Sequence, residues 1–254
     1  MDNIIVTGAA VSGYGQEITK LMLSKGFKVF GTYLSADEDI AKKFMAEIGN
    51  SNLSLFPLDL WERKSLDDFL HKISEIPIKG IVLSQYFWNM ENPDDFDFDA
   101  WDRSIASNLT APNYLIRKLQ SNLIDGKGNV VVITSTEGLT GNYGSTAYSA
   151  ARAGEHNLVK SLANLFGPKE IRINAVAPGW IGSVMEDGIF DPSCELTPLG
   201  RLGHGSEVAN VVDFLLSDRA TYVTGSTVVV DGGYSNADPM AKREFEDAHK
   251  NDYD

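Results

Sequence analysis

IIVTGAAVSGYGQEITKLMLSK, residues 4–25, brings a short apolar run, a glycine-rich turn and an amphipathic stretch into direct succession. The run Ile4–Thr7 is typical of a buried strand and 16–25 of a helix, so the segment predicts the first half of a βαβ unit. Gly8, Gly13 and Gly15 lie in the turn between them. Glycines there let the backbone approach a pyrophosphate, whose charge the helix N-terminus favours, although a tight turn by itself also needs glycine.

The same alternation continues along the chain. Several later runs, such as Val130–Ile133, are apolar without alternation, as expected for strands covered by helices on both faces. The further predicted strands are Phe27–Tyr33, Leu53–Leu58, Ile78–Ser84, Asn129–Thr134, Ile171–Val176 and Thr227–Asp231. Seven strands with six intervening helices predict an α/β protein with a Rossmann-type, doubly wound parallel sheet in three α/β/α layers. Such sheets bind ligands at the carboxyl ends of their strands.

Composition limits the class of partner. The 254 residues hold 22 Lys and Arg against 35 Asp and Glu, a net charge of −13. This balance argues against a nucleic-acid binder and against a protein held on anionic lipid, and it favours a small-molecule substrate. We expect residues 1–236 to form one domain and residues 237–254 to form an acidic, solvated C-terminal tail.

Several sites and segments are not expected. Cys194 is the only cysteine, which excludes an internal disulfide, and its acidic neighbours disfavour a reactive thiolate. The four histidines have no metal-ligand spacing, so we expect no metal site. The sequence starts with a short apolar strand and has no long apolar run, so we expect neither a signal peptide nor a membrane span, and a cytoplasmic protein.

The middle and later chain carries motifs in a fixed order. Ser135 precedes Tyr148 by thirteen residues, and Arg152 follows Tyr148 by four. Beyond them come NAVAPGWI at 174–181, PLGRLG at 198–203 and VDGG at 230–233. From Ile4 to about Tyr234 the chain resembles the short-chain dehydrogenase/reductase superfamily. The resemblance implies an enzyme that transfers hydride between NAD(P) and a small alcohol or ketone, and a homo-oligomer, typically a tetramer.

The resemblance also implies roles for individual residues. Ser135 would orient and polarise the substrate oxygen, Tyr148 would exchange its proton, Arg152 would depress the pKa of Tyr148, and Asn108 would support the proton relay. The implied cofactor contacts are Gly8, Ser12, Gly13, Tyr14, Gly15, Tyr33, Asp59, Leu60, Ser84, Gln85, Pro178, Gly179, Ile181 and Ser183. Each position also has an ordinary structural interpretation: Asp59 as a turn or cap residue, Asn108 as a helix-kink residue and Tyr148 as a core residue.

Electrostatics gives the proposed pair its chemistry. A phenol with a pKa of about 10 is a poor base at neutral pH unless a positive charge lies close by. A residue four positions along a helix lies on the same face, so Arg152 can supply that charge to Tyr148.

Three positions depart from the family pattern. The family has Lys where this chain has Arg152, and a guanidinium stays charged but cannot shuttle a proton. The glycine turn is one residue longer than usual. The family's Asn-Asn-Ala-Gly reads Leu-Ser-Gln-Tyr at 83–86, and Tyr86 in place of Gly can crowd the cofactor.

The Ser, Tyr and Arg together also resemble the triad of the halohydrin dehalogenases, which are cofactor-free relatives. In those enzymes the Arg activates the Tyr, the Tyr deprotonates a hydroxyl, and the resulting alkoxide expels halide. Those enzymes carry an aromatic residue at the position of Ser12, so that motif is not matched. A cofactor-free dehalogenase and a non-catalytic binding or regulatory protein stay open as alternatives to the oxidoreductase.

Cofactor choice and substrate are weakly marked. After Tyr33 there is neither the acidic residue of an NAD enzyme nor the basic residue of an NADP enzyme, and Asp37 and Glu38 would repel a 2′-phosphate, which leans toward NAD. We expect 184–197 to form a substrate lip and the aromatic run 86–88 to wall an apolar cleft, unless these aromatics are core or subunit contacts.

Overall fold

All seven predicted strands form one parallel sheet in the computed structural model, which describes residues 1–11, 13–182 and 193–249. The order across the sheet is β3-β2-β1-β4-β5-β6-β7. The strands are β1 (Asn3–Thr7), β2 (Lys28–Tyr33), β3 (Leu53–Pro57), β4 (Gly80–Leu83), β5 (Asn129–Ile133), β6 (Ile173–Pro178) and β7 (Thr227–Val230). The predicted Rossmann-type fold is therefore confirmed.

Helices fill all six connections between the strands, as predicted. They are α1 (Gly13–Ser24), α2 (Glu38–Ile48), α3 (Arg63–Lys72), α4 (Phe98–Ile105), α5 (Ala111–Lys118), α6 (Gln120–Gly126), α7 (Glu137–Thr140), α8 (Thr146–Phe166), α9 (Ser193–Leu196) and α10 (Gly205–Leu216), with α11 (Pro239–Ala248) after the last strand. Among the residues that the structure describes, no helix is long and apolar enough to cross a membrane.

The register of β1 fixes where a ligand can enter. Val6 of β1 pairs with Gly31 of β2 on one side and with Val82 of β4 on the other. Chain order reverses between these two neighbours, so their connections leave in opposite directions and open a crevice at the carboxyl end of β1.

Two hydrophobic cores cover the two faces of the sheet. Alternate residues of one strand point to opposite faces, so Val130 and Val132 join the core beneath α3, α5 and α8. Val131 and Ile133 join the other core, beneath α1, α2 and α10. This double burial explains why the β5 run is apolar throughout.

A π-helical turn at Ala106–Thr110 joins α4 to α5 and contains Asn108. The Asn108 amide is fully buried; its Nδ2 donates to the Phe87 carbonyl at 2.7 Å and to Ser104 Oγ at 3.2 Å. Its Oδ1 accepts from the Phe87 N–H at 3.0 Å. Asn108 therefore braces the segment that follows β4.

The C-terminal region contains a helix, α11. Asp238 caps α11 by accepting from the N–H groups of Met240 and Ala241 at 2.9 and 3.2 Å. Pro239 at the first helical position suits that start. No residue of α11 is buried, so this helix lies on the surface of the protein.

Candidate active site

The glycine turn follows β1 at the crevice. Gly8 has φ +67°, and a Cβ there would lie 3.0 Å from the Gln85 Cα, so a larger residue would strain the backbone and push away the segment after β4. Gly13 begins α1, and a Cβ there would meet nothing within 4 Å. The turn thus leaves open space in front of a helix N-terminus.

The other predicted cofactor residues that the structure describes lie at the carboxyl edge of the sheet or in α1. They are Tyr14, Gly15, Tyr33, Asp59, Leu60, Ser84, Gln85, Pro178, Gly179 and Ile181. Ser12 and Ser183, and most of the expected substrate lip 184–197, lie outside the described residues.

Several of these side chains already bind protein groups. Ser35 donates to both oxygens of Asp59, from its N–H at 3.1 Å and its hydroxyl at 2.7 Å. Ser84 is buried with its hydroxyl on the Thr7 carbonyl, and Leu60 is buried as well. The side chains of Ser84 and Leu60 are therefore engaged within the protein.

Gln85 spans the floor of the crevice. Its Nε2 donates to the Leu58 carbonyl at 2.7 Å, and its Oε1 accepts from the Thr32 hydroxyl at 3.1 Å. Gln85 therefore ties the segment after β4 to β2 and to the end of β3.

Tyr148 stands in the first turn of α8, and Glu91 fixes that helix start. Glu91 Oε1 accepts from the Ala147 N–H at 2.8 Å and Oε2 from the Thr146 hydroxyl at 2.6 Å. Carboxylates at a helix N-terminus satisfy free N–H groups and complement the helix dipole. Ser135 directly follows β5 and Thr134, is half-buried, and accepts from the Glu137 N–H at 3.1 Å.

Arg152 lies one turn further along α8, as predicted, but its guanidinium is sealed in the protein. The side chain is 2% exposed, and its Nη1 donates to the Ile133 carbonyl at 3.0 Å and to Glu155 Oε2 at 2.5 Å. Glu155 is 1% exposed, and burial raises its pKa to about 7 while Arg152 acts to lower it. Sequence reasoning missed Glu155, although a Glu three residues after an Arg is a usual helical ion-pair spacing.

A cluster of three tyrosines covers this ion pair. The Tyr86 ring stacks on Tyr14 at 6.3 Å between centroids and meets Tyr148 edge-on at 6.2 Å. The Arg152 Cζ lies 4.8 Å from the Tyr148 ring centroid and 5.8 Å from that of Tyr86. Tyr86 therefore lies against both Tyr14 and Tyr148. We call Tyr14, Tyr86 and Tyr148 the tyrosine cluster.

Arg152 acts to lower the pKa of Tyr148, as predicted, but the net shift has the opposite sign. Burial raises the pKa of Tyr148 above its ordinary value, and the charge of Arg152 acts in the predicted direction but does not overcome burial. Burial also raises the pKa of Tyr14 well above its ordinary value. The prediction of a lowered pKa for Tyr148 is therefore wrong, because a 7% exposed phenol loses more solvation than this ion-paired guanidinium returns.

The rest of the aromatic run after β4 has other contacts. Phe87 packs on Arg103, whose Cζ lies 4.4 Å from its ring centroid and 3.6 Å from that of Trp61. Trp88 is 44% exposed. Tyr86 thus reaches the site, whereas Phe87 anchors the segment to the protein.

Comparisons with known proteins identify the class. Residues 8–235 match the sequence profile of a family described as "Enoyl-(Acyl carrier protein) reductase". Nodulation protein G of Rhizobium sp. (strain N33) is 34% identical over 244 residues, covering 90% of this chain and 95% of that protein. The 3-oxoacyl-[acyl-carrier-protein] reductase FabG of Salmonella typhimurium is 32% identical over 242 residues, covering 90% and 95%.

Solved structures agree. A SCOR enzyme in its apo form from Clostridium thermocellum superposes with a TM-score of 0.84 at 28% identity, covering 93% of this chain and 94% of that one. The chain belongs to the short-chain dehydrogenase/reductase superfamily. It is an enzyme of a family of oxidoreductases that use NAD(P)H.

The crevice fits such a dinucleotide differently at its two ends. The open space before α1 and the positive φ of Gly8 suit the pyrophosphate. At the other end the tyrosine cluster covers Tyr148. Tyr86 is 44% exposed, whereas Tyr148 beside it is only 7% exposed.

Proposed function

We propose that the chain is an NAD(P)-dependent oxidoreductase that interconverts a small ketone and its alcohol. The observation that carries the proposal is the position of Tyr148 at the start of α8, where the Tyr86 ring links it to Tyr14 beside the glycine turn. The dinucleotide, when bound, supplies or accepts the hydride.

The chain's own residues do the rest. The turn at Gly8 and Gly13 and the N-terminus of α1 hold the pyrophosphate, and Tyr33 and Asp59 border the adenosine. Ser135 orients the substrate oxygen and Tyr148 gives it a proton. Because burial raises the pKa of Tyr148, the phenol is protonated at neutral pH, which suits the reduction direction.

NAD is the proposed form of the cofactor. Asp37 and Asp59 place carboxylates beside the end of β2. Lys42, the nearest cation in sequence, is already paired with Glu38 at 2.9 Å. A 2′-phosphate would therefore meet negative charge there.

An uncharged substrate fits the surroundings better than a polyanionic carrier. A cavity of about 710 Å³ lies beside the start of α8, between Thr146 and the segment after β4. The described residues that line it include no Lys or Arg. Among them are the apolar and acidic side chains of Met90, Glu91, Asp94, Asp95, Phe96, Asp97, Trp101 and Tyr143. Relatives are named for acyl-carrier-protein and acetoacetyl-CoA substrates, and both carriers are strongly anionic. We propose a neutral β-keto ester or simple ketone instead.

Cofactor titration tests the reaction class. Adding NADH and NADPH separately, followed by tryptophan fluorescence and calorimetry, should give micromolar binding with NADH the tighter. Reduction of ethyl acetoacetate should exceed that of acetoacetyl-CoA in kcat/KM, and Tyr148→Phe should remove at least about 99% of turnover while keeping cofactor binding.

The alternatives are outcomes of the same experiment. If neither cofactor binds, and halide release from a vicinal halohydrin is lost in Tyr148→Phe, the dehalogenase replaces the oxidoreductase. No turnover of either kind leaves the non-catalytic interpretation. The Glu155 carboxylate argues against the dehalogenase, because it neutralises the Arg152 charge that this mechanism needs to activate Tyr148 as a base.

We further propose a homo-oligomer. β7 is an edge strand of the described sheet, and its residues are half-exposed, with Val229 39% exposed. Exposed edge strands are usually covered. Light scattering should therefore give a multiple of the 27.8 kDa chain mass.

A further inference from the structure

Two buried, oppositely charged residues follow Tyr148 on one face of α8. Tyr148, Arg152 and Glu155 occupy positions i, i+4 and i+7, so their side chains are stacked along one side of the helix. Arg152 and Glu155 are joined at 2.5 Å and both are almost fully buried. The cation that faces the Tyr148 ring thus has its own counter-ion one turn away.

The remaining contacts show that the pair is not a surface ion pair that solvent could replace. Arg152 Nη1 also donates to the Ile133 carbonyl of β5, which ties the guanidinium to the sheet. Arg152 Nε and Glu155 Oε1 are buried and have no hydrogen-bond partner among the described residues. Glu155 is therefore held by Arg152, and Arg152 by Glu155 and the strand.

We propose that Glu155 is a positioning residue that fixes the guanidinium of Arg152 under Tyr148 and screens its charge, so that Tyr148 acts as a proton donor and not as a standing phenolate. The inference rests on the proposed oxidoreductase only for its consequence, the favoured direction of proton transfer. The screening itself is a property of the free protein.

The charged and titratable groups that face the trio come from four elements. They are Tyr14 of α1, Tyr86 after β4, Glu137 of α7, and His156 of α8 itself. Burial raises the pKa of Tyr14, so that phenol is neutral at neutral pH, and burial lowers the pKa of His156, so that imidazole is neutral as well. Glu137 lies near Tyr148, and its charge also acts to raise the pKa of that tyrosine.

Removing the screening charge should release the effect of Arg152. Glu155 is about two helical turns from Tyr148, so in Glu155→Gln the tyrosine should titrate about one pH unit lower. Because the pKa of Glu155 is about 7, its carboxyl is ionised throughout the range in which a tyrosine titrates. The charge change is therefore complete in the measured range.

The experiment is a tyrosinate absorbance titration of the full chain without cofactor or substrate. The Tyr148 curve is the difference between each protein and the same protein with Tyr148→Phe. Glu155→Gln should shift that curve to lower pH, Glu155→Asp should restore it in part, and the exposed Glu47→Gln control should leave it in place. An unshifted Tyr148 curve in Glu155→Gln would overturn the proposal.

A second variant keeps the test decisive if Glu155→Gln does not fold, since that change leaves a buried cation unpaired. Arg152→Met combined with Glu155→Gln removes both charges and should fold. If Glu155 opposes Arg152 at Tyr148, the Tyr148 curve of this double variant lies about one pH unit below that of Arg152→Met alone, in which the Glu155 carboxylate is kept. Coinciding curves of these two variants would mean that the Glu155 charge does not reach Tyr148, and the proposal would be rejected even if the protein reduces ketones.

Discussion

Tyr86 should act against cofactor binding, and its removal should tighten it. The Tyr86 ring covers Tyr148 at the end of the crevice that a nicotinamide would enter. In the family pattern this position is Gly, which has no side chain to displace. We therefore predict that Tyr86→Ala lowers the Kd for NADH.

The size of the effect follows from the contacts that must be broken. Two ring pairs, with Tyr14 at 6.3 Å and with Tyr148 at 6.2 Å, are each worth about 0.5–1 kcal/mol. The cation–π contact with Arg152 at 5.8 Å adds about 0.5 kcal/mol. Displacing the ring therefore costs about 2 kcal/mol, which corresponds to about 30-fold in Kd.

The assay is calorimetric titration of wild type and Tyr86→Ala with NADH. Tyr222→Ala is the matched control, because that tyrosine is fully exposed and its removal should leave Kd unchanged. A thermal melt of each protein establishes that Tyr86→Ala is folded. An unchanged or weaker affinity in Tyr86→Ala would refute the reasoning, since it would mean that the ring already lies clear of the cofactor or packs on it.

Two further predictions concern stability. Gly126→Ala should lower the free energy of unfolding, measured in urea, by about 1–3 kcal/mol, because the new Cβ would lie 2.2 Å from the Ile78 carbonyl oxygen. The control Gly167→Ala, whose Cβ would meet nothing within 4 Å, should change it by less than about 0.5 kcal/mol. Equal effects of the two substitutions would contradict this prediction. Hydrogen bonds from Arg201 and from the backbone lower the pKa of Glu207 to about 2. The contribution of Glu207 to the free energy of unfolding is therefore present above pH 4.5 and is lost as the pH falls toward 2. Because the Arg201–Glu207 pair is exposed, the free energies of unfolding of wild type and Glu207→Gln should differ by less than about 1 kcal/mol at pH 6, and the difference should vanish near pH 2. A difference that persists at pH 2 would exclude this ion pair as its source.

The fold could be predicted from the sequence because its signals are local and repeated. Each strand is a short apolar run followed by a helical stretch. The β5 run is apolar at every position, which indicates burial on both faces, and its residues do alternate between the two cores. The C-terminal helix was missed because its ten residues bury nothing, so their periodicity carries no core signal. Its start was nevertheless marked by Asp238 followed by Pro239, a usual N-cap pair.

The site was predicted less completely than the fold. The spacing of Tyr148 and Arg152 predicted that these two side chains meet, and they do, because one turn of helix sets the relation between them. The sign of the net pKa shift of Tyr148 could not be read from that spacing, since it depends on burial by Tyr86, which comes from a different element. The spacing of three residues from Arg152 could have predicted that Glu155 forms an ion pair with it. The burial of that pair could not be predicted from the spacing.

The departures from the family pattern are physically one arrangement. A guanidinium buried to 2% exposure requires a counter-ion, and Glu155 on the same face supplies it. A paired guanidinium presents a flat, weakly hydrated surface, on which the rings at 86 and 148 can lie. Restoring the family's Lys at 152 alone would therefore place a shorter ammonium between a buried carboxylate and Tyr86, where Glu155 would draw it away from the crevice. A site of the usual family kind requires the changes at 86, 152 and 155 together, because Arg152 contacts both the Glu155 carboxylate and the Tyr86 ring.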